Sequence, residues 1–352
     1  MSGQQTRQWI LTNPPTGDPV LDGPNSTFTL QTTTLPAPGP EQVLVKTLHL
    51  SNDPAQRGWI DPEIEPDRLY TEPVKKGDVM RAFAVAEVVR SNSESLKPGQ
   101  LVIATTGWAE HAVLNAKECR PVQADEKAGI RPTHFIGSLG GTGITAYYGL
   151  VDIGRATASD VVVVSGAAGA TGNMVVQIAK HIVGCKKVIG IAGGEKKCKW
   201  VESIGADVCV DYKSPNFAEE LKKATEGYAD VYFDNVGGEI LDHMLARVKK
   251  FGRVVACGAV AAYNDKSKAV KNWFQIITNR LEVRGFIVLD AIESGKVVPI
   301  MGALTKGIKE GKIKIGEDSE TVVPTKFEDV PKTWTLLFSG GNTGKLITQI
   351  TG

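Results

Sequence analysis

The stretch Val161-Val162-Val163-Val164-Ser165-Gly166-Ala167-Ala168-Gly169-Ala170-Thr171-Gly172 constrains the fold more than any other part of the chain. Four consecutive valines read as a strand buried on both faces, the pattern of a parallel sheet covered by helices. Small residues follow. Residues 173–180 then read as a helix, with Met174, Val175, Ile178, Ala179 and Ile182 on one side. A strand, a glycine turn and a helix in that order present backbone N–H groups and a positive helix end to an anion, and small residues let a pyrophosphate approach. The fingerprint G-x-G-x-x-G is met with Ala167 in the first position, Gly169 in the second and Gly172 in the third. Alone the match is weak, and a plain strand–helix connection fits it as well.

The alternation continues downstream. Strand patterns occupy residues 187–192, 208–212, 230–234, 253–257 and 281–288. Helical patterns occupy 197–204, 217–225 and 240–249. Six strands with intervening helices predict an α/β fold with a doubly wound parallel sheet. Residues 1–131 read differently: strands at 41–50, 82–90 and 101–104 lie between Pro- and Gly-rich turns and predict a compact barrel-like β domain. β patterns return at 321–323 and 344–350. The α/β domain, 132–312, is therefore expected as an insertion in a β domain made of 1–131 and 313–352. A cleft between two domains is a common place for a substrate site.

Charge and cysteine content exclude several classes. The net charge of +1, with scattered lysines, offers no electrostatic argument for binding nucleic acid or an anionic membrane. No apolar run approaches the ~18 residues of a spanning helix. Residues 1–8 are polar and lack a signal-peptide core. Cys119, Cys185, Cys198, Cys209 and Cys257 form no C-x-x-C pair. That argues against a disulfide framework or a Cys-rich zinc site, and the expected location is the reducing cytoplasm.

The end of the second strand bears on the cofactor. A fold that binds NAD places Asp or Glu there, on the ribose 2′-hydroxyl. This chain has Gly193-Gly194 followed by Glu195-Lys196-Lys197, with Lys180 also expected nearby. The glycines leave room and the lysines can neutralise a 2′-phosphate, which favours NADPH. Glu195 mixes the signal, and Lys196 and Lys197 also suit the solvated first turn of a helix.

The order of β domain, Ala-Ala-Gly-Ala-Thr-Gly turn, Phe233-Asp234-Asn235-Val236-Gly237-Gly238 and Cys257-Gly258-Ala259-Val260-Ala261-Ala262-Tyr263-Asn264 resembles the medium-chain dehydrogenase/reductase superfamily. Leu50-Ser51-Asn52-Asp53-Pro54 with Arg57, and Gly341-Asn342-Thr343-Gly344-Lys345, are similar to motifs of its zinc-independent branch of prostaglandin reductases, alkenal double-bond reductases and curcumin reductases. The resemblance covers nearly the whole chain. It implies a Rossmann domain inserted in a GroES-like β-barrel domain, with NADPH as cofactor. It also implies that Ala167, Ala168, Gly169, Ala170 and Gly172, with Gly193, surround the pyrophosphate side, and that Lys197 and Tyr212 contact the 2′-phosphate. Asn235, Cys257, Gly258, Ala259, Val260, Phe286, Ile287, Val288 and Asn342 would complete the nicotinamide half. For several of these a structural role stays open: a strand-end turn for Asn235, sheet core for residues 286–288, a loop turn for Asn342. Relatives are often homodimers, with the sixth strand a plausible pairing edge. Many members carry Tyr after the Asp-Pro pair, where this chain has Ala55, and Gly after the Met at position 80, where it has Arg81.

Zinc-dependent relatives use Cys and His ligands. Here Ser51-Asn52-Asp53 and Gly77-Asp78-Val79-Met80 occupy those regions, and His49, His111, His134, His181 and His243 lack paired cysteines, so no metal is expected. Conjugate reduction of an enal or enone suits a metal-free site. Hydride would go to the β-carbon, and a hydrogen-bond donor must stabilise the enolate oxygen. Tyr263 is the candidate catalytic donor, a phenol with an ordinary pKa near ~10; the ribose 2′-hydroxyl is an equal alternative, with Tyr263 then only positioning substrate. Trp59 and Tyr70 either line an apolar pocket or pack a loop. Asp53 and Arg57 read as structural, paired with each other or fixing a loop. Ser165 lacks a G-x-S-x-G setting, and Cys257 reads as a strand-end cysteine. The expected activity is NADPH-dependent reduction of the C=C bond of a small α,β-unsaturated aldehyde or ketone. Its rivals are a quinone reductase, a zinc-free alcohol dehydrogenase, and an NADPH-binding structural or regulatory protein without turnover.

Overall fold

The computed structural model describes residues 3–267 and 270–351. The chain opens with β1 (Gln4–Leu11), β2 (Phe28–Leu35), β3 (Gln42–Ser51), α1 (Gln56–Trp59), β4 (Ala84–Ser91), β5 (Leu101–Ala104), β6 (His111–Asn115) and β7 (Arg120–Pro121). After α2 (Gly141–Tyr147) come β8 (Val161–Val164), α3 (Ala170–Gln177), β9 (Lys187–Ala192), α4 (Glu195–Ser203), β10 (Val208–Asp211) and α5 (Phe217–Ala224). β11 (Ala229–Asp234), α6 (Gly238–Leu245), β12 (Val248–Ala256), α7 (Phe274–Asn279), β13 (Glu282–Gly285), α8 (Val288–Glu293) and α9 (Val297–Lys309) follow. The chain closes with β14 (Glu320–Lys326), α10 (Val330–Ser339) and β15 (Lys345–Thr351). Two units emerge: residues up to 136 with 321–341 and those after 345, and residues 137–320 with 342–345.

In the first unit, β14-β15-β3-β4-β5-β7 form a sheet, with β6 also paired to β3. The pairing of β3 with β4 shifts register between Leu44 and Val45 and between Thr47 and His49. Such bulges bend and twist a sheet, and they suit a barrel-like curl. Under it Trp108 packs against Phe28 at 4.8 Å and Trp334 at 5.6 Å. Leu11, Leu50, Trp59 and Met80 complete this core.

In the second unit all strands run parallel, in the order β10-β9-β8-β11-β12-β13. Counted within the unit this is 3-2-1-4-5-6, the doubly wound order. The valine run now has its reason: Val162, Val163 and Val164 are fully buried at the centre of the sheet. Val163, Ile189, Ile191, Val210 and Tyr232 share a core with Leu221 of α5 and Met244 of α6. Full burial of each such side chain is worth about 1.5–3 kcal/mol.

Several boundaries differ from the sequence expectation. The helix after the glycine turn opens at Ala170 rather than 173, and it continues beyond Gln177 as a wider helical turn, Ile178–Val183. The helix expected to reach 249 stops at Leu245, because the Ala246 and Arg247 N–H groups turn back onto the carbonyls of His243 and Met244 and β12 begins at Val248. The sixth strand ends at Gly285. Phe286 instead enters the core, edge-on to Phe233 and Tyr148, and the Asp290 carboxylate accepts the Ile287 N–H to start α8.

Candidate cofactor site

The site grows from the end of β8. The Ser165 N–H donates to the Phe233 carbonyl at 3.1 Å and the Ala167 N–H to that of Ile191 at 3.0 Å, so the turn is pinned to strands on both sides. The chain reverses at Gly166, whose φ of +57° suits glycine. The reversal falls at Gly166, one residue before Ala167, the first of the three fingerprint positions. The Gly169 N–H closes the turn on the Gly166 carbonyl at 2.8 Å. At Gly172 a Cβ would stand 2.2 Å from the Gly166 oxygen, so only glycine lets α3 lie this close to the turn. Asn173 Nδ2 donates to the Gly169 carbonyl at 2.7 Å, fixing the start of α3. The first-turn amides of Ala170, Thr171 and Gly172 have no acceptor inside a helix, and they form a ready anion cradle.

The segment 342–345 packs on the same turn. The Gly344 N–H donates to the Ala168 carbonyl at 2.8 Å, and Asn342 Nδ2 donates to the Gly344 carbonyl at 2.8 Å. Asn342 thus shapes a loop resting on the glycine turn.

The end of β11 is a buried polar knot. Asp234 is 2% exposed. Its Oδ1 accepts from Tyr232 Oη at 2.7 Å, Ser165 Oγ at 2.9 Å, and the Val236 and Gly237 N–H groups at 3.0 Å each. Burial, with the Asp234 charge beside it, holds the Tyr232 phenol well above its ordinary pKa. Ser165 Oγ also accepts the Asn235 N–H, and Asn235 Nδ2 donates to the Ser165 carbonyl. Among the described residues the Asn235 Oδ1 has no hydrogen-bond partner. Ser165 is thus a tie between β8 and β11. None of these four polar partners of Asp234 was singled out as such from the sequence.

The loop after β12 runs along this knot. The N–H groups of Cys257 and Gly258 donate to the Asp234 carbonyl, and that of Ala261 to the Val236 carbonyl. A Cβ at Gly258 would lie 3.1 Å from the Asn235 oxygen. Burial, and then the nearby Asp234 charge, push the Cys257 thiol up to about 12, so it stays protonated and inert. After a short helical turn, Val260–Ala262, the Tyr263 hydroxyl accepts the Ala259 N–H at 3.4 Å. Ile287 and Val288 are half-buried at the end of β13, whereas Phe286 is a core residue.

The ends of β9 and β10 supply positive charge. A Cβ at Gly193 would stand 2.7 Å from the Tyr212 ring, so glycine lets that ring cover the turn. Lys197 lies in the first turn of α4, and its ammonium has its pKa lowered by burial and by the charge of Lys213. Lys213 was missed in the sequence. Its signal is a lysine directly after Tyr212 at a strand end.

In the first unit, Trp59 is 7% exposed and Tyr70 is 42% exposed. Trp59 Nε1 donates to the Tyr70 hydroxyl at 2.9 Å, and the Arg81 guanidinium lies over the Trp59 ring. Burial is the main cause that raises the Tyr70 phenol above its ordinary pKa. Arg57, fully buried, donates to the carbonyls of Pro15 and Gly17 and faces Asp61 at 3.6 Å. It pairs with Asp61 rather than Asp53, and it fixes the loop at 15–17. Asp53 accepts instead from Ser51 Oγ at 2.5 Å. Among the described residues, no group of three or more His, Cys, Asp or Glu is placed to hold a metal ion. No helix among them is long and apolar enough to cross a membrane.

Comparison with known proteins places this geometry. Residues 7–122 match the family described as the N-terminal domain of oxidoreductase, and residues 170–302 match that described as zinc-binding dehydrogenase. Prostaglandin reductase 1 of Bos taurus is 36% identical, covering 97% of this chain and 98% of the relative. The NADPH-dependent curcumin reductase of Escherichia coli (strain K12) is 32% identical, covering 99% and 98%. The crystal structure of CurA in complex with NADPH from Vibrio vulnificus superposes with a TM-score of 0.87 at 32% identity, covering 98% of this chain and 99% of that one. A doubly wound unit set into a barrel-like one, with likeness along the full length, means that the chain is an oxidoreductase of the medium-chain dehydrogenase/reductase superfamily and belongs to its zinc-independent prostaglandin reductase branch.

Proposed function

We propose that this oxidoreductase uses NADPH to reduce the C=C bond of an α,β-unsaturated aldehyde or ketone. The carrying observation is the pairing of a glycine turn suited to pyrophosphate with two lysines beyond the adjacent strands, Lys197 in the first turn of α4 and Lys213 just past β10. The relatives named as a prostaglandin reductase and an NADPH-dependent curcumin reductase support the reading, as does CurA with its NADPH.

The residues present fit that cofactor. Residues 166–172 would hold the pyrophosphate, and Lys197, Tyr212 and Lys213 the 2′-phosphate. Asn235, the loop 257–260, the chain at 286–288 and Asn342 would surround the nicotinamide half, with the Asn235 Oδ1 offered as an acceptor. When bound, NADPH supplies the hydride. The chain must then stabilise negative charge on the substrate carbonyl oxygen and deliver a proton to the α-carbon. Tyr263 is assigned to that step. By accepting the Ala259 N–H, its oxygen is oriented, and a hydroxyl that accepts a hydrogen bond becomes a better donor. The Tyr70 ring would form an apolar wall for substrate, and Trp59 would hold Tyr70 in place through its indole N–H.

Product identity tests the reaction. Incubation with NADPH and an enone, followed by mass and NMR, is expected to give the saturated carbonyl compound. An allylic alcohol would point to the alcohol dehydrogenase reading, and quinones as the sole oxidants to the quinone reductase reading. No turnover with any of them would leave a binding role only. Tyr263→Phe is expected to lower kcat about 10²-fold, the low end for one general acid, with NADPH affinity unchanged. Unchanged turnover would remove Tyr263 from the proton step.

We further propose a cytoplasmic homodimer. β13 is an edge strand, and Val283 on it is 46% exposed. Its sequence, Glu282-Val283-Arg284, is self-complementary: in a two-fold antiparallel pair centred on Val283, each Glu282 meets the partner's Arg284. Light scattering is expected to return a dimer mass. Arg284→Glu should shift it toward monomer, and adding Glu282→Arg should restore the dimer. A monomeric parent protein, or no response to the charge swap, would rule this edge out.

A further inference from the structure

Asp211 closes β10 and has had no part in the site so far. Its Oδ1 accepts two backbone N–H groups, from Gly194 at 2.8 Å and from Lys213 at 2.9 Å. Gly194 precedes α4 and so belongs to the turn after β9; its φ is +93°. Lys213 belongs to the turn after β10. The ladder between the two strands ends with Asp211 opposite Ala192, and the Tyr212 N–H donates to the Ala192 carbonyl at 3.0 Å. Beyond that point the Asp211 carboxylate ties one turn to the other. The two turns divide the positive charge between them: Lys197 follows the first, and Lys213 stands in the second.

An aspartate is an odd neighbour for a phosphate. Its charge repels the ligand, and a few ångströms from solvent that repulsion is not negligible. What favours it here is geometry. One oxygen satisfies two amides that would otherwise let the turns separate, and hydrogen bonds to an ionised acceptor are stronger than neutral ones. Gly193 against the Tyr212 ring shows how closely these turns must approach.

We propose that Asp211 is a positioning residue that sets the spacing of Lys197 and Lys213 and thereby the preference for NADPH over NADH; the proposal rests on the reading of these turns as the 2′-phosphate site. Charge and geometry act in opposite directions, so two variants separate them. Asp211→Asn keeps an acceptor oxygen and removes the charge. Asp211→Ala removes both.

Calorimetric titration of the full-length protein with NADPH and with NADH provides the test, alongside hydrogen exchange of the Gly194 amide. Asp211→Asn is expected to bind NADPH at least as tightly as the parent protein. Asp211→Ala is expected to bind NADPH about tenfold more weakly, the low end for losing the charged hydrogen bond that ties Gly194 to Asp211, with NADH affinity within about twofold and a faster-exchanging Gly194 amide. NADPH binding by Asp211→Ala that equals or exceeds the parent's overturns the proposal, since charge alone would then be at work. Equal loss of both cofactors overturns it too, as does a well-folded Asp211→Asn that has lost NADPH preference. A parent protein that prefers NADH would instead overturn the phosphate-site reading, which is a separate and recognisable result.

Discussion

Asp234→Ala is expected to destabilise the second unit by about 3–5 kcal/mol, the cost of leaving several buried donors without their acceptor. One carboxylate oxygen accepts from the Tyr232 and Ser165 hydroxyls and from the Val236 and Gly237 amides. Alanine leaves all of them in a dry setting. Each orphaned donor costs about 1–3 kcal/mol, reduced where a water can enter. Against a total stability of about 5–15 kcal/mol this is a large fraction. Asp234→Asn should cost much less, because the amide oxygen keeps acceptor capacity while the charge is lost. Urea unfolding measures the difference, and hydrogen exchange at residues 236 and 237 locates it. The effect should also reach function. The Asp234 backbone carbonyl holds the amides of Cys257 and Gly258, so a loosened strand end displaces the loop that carries Tyr263. A destabilisation below about 1 kcal/mol would show that the knot is dispensable.

The sheet was legible because its central strands are covered on both faces. Runs such as 161–164 and 188–192 have little reason to be continuously apolar in any other setting. Helix ends were less legible. Nothing in the local pattern of Leu245-Ala246-Arg247-Val248 marks the turn that ends α6, since it depends on Arg247 donating to Thr225 and on β11 alongside. The glycine turn is legible as a spacing, whereas the left-handed φ at Gly166 that reverses the chain is a backbone fact no spacing shows. The knot at Asp234 was illegible for a different reason. Tyr232, Val236 and Gly237 are within three residues of Asp234, but only the pairing of β8 with β11 brings the Ser165 hydroxyl to the same oxygen. Likewise Trp59 and Tyr70 were named together as pocket residues, but that one holds the other by a hydrogen bond depends on a loop with no periodicity.

Lys197→Glu is expected to raise the dissociation constant for NADPH by about 100-fold or more while changing that for NADH by less than about threefold, because a charge-assisted contact worth about 1.5–3 kcal/mol is replaced by repulsion. The Lys197 ammonium is partly desolvated and sits in the field of Lys213, and both effects lower its pKa. A 2′-phosphate placed near both ammonium groups would gain from each of them, and a 2′-hydroxyl would not. Glutamate at 197 inverts the field at the same place, and it leaves the glycine turn at 166–172 untouched, so the pyrophosphate shared by both cofactors should bind as before. Lys197→Arg should keep most of the preference, since the charge remains. Raising the salt concentration should weaken NADPH binding to the parent protein more than NADH binding, and it should do so less in Lys197→Glu. Calorimetry with both cofactors decides the matter: equal losses for NADPH and NADH would mean that Lys197 supports the fold of α4 rather than reading the phosphate.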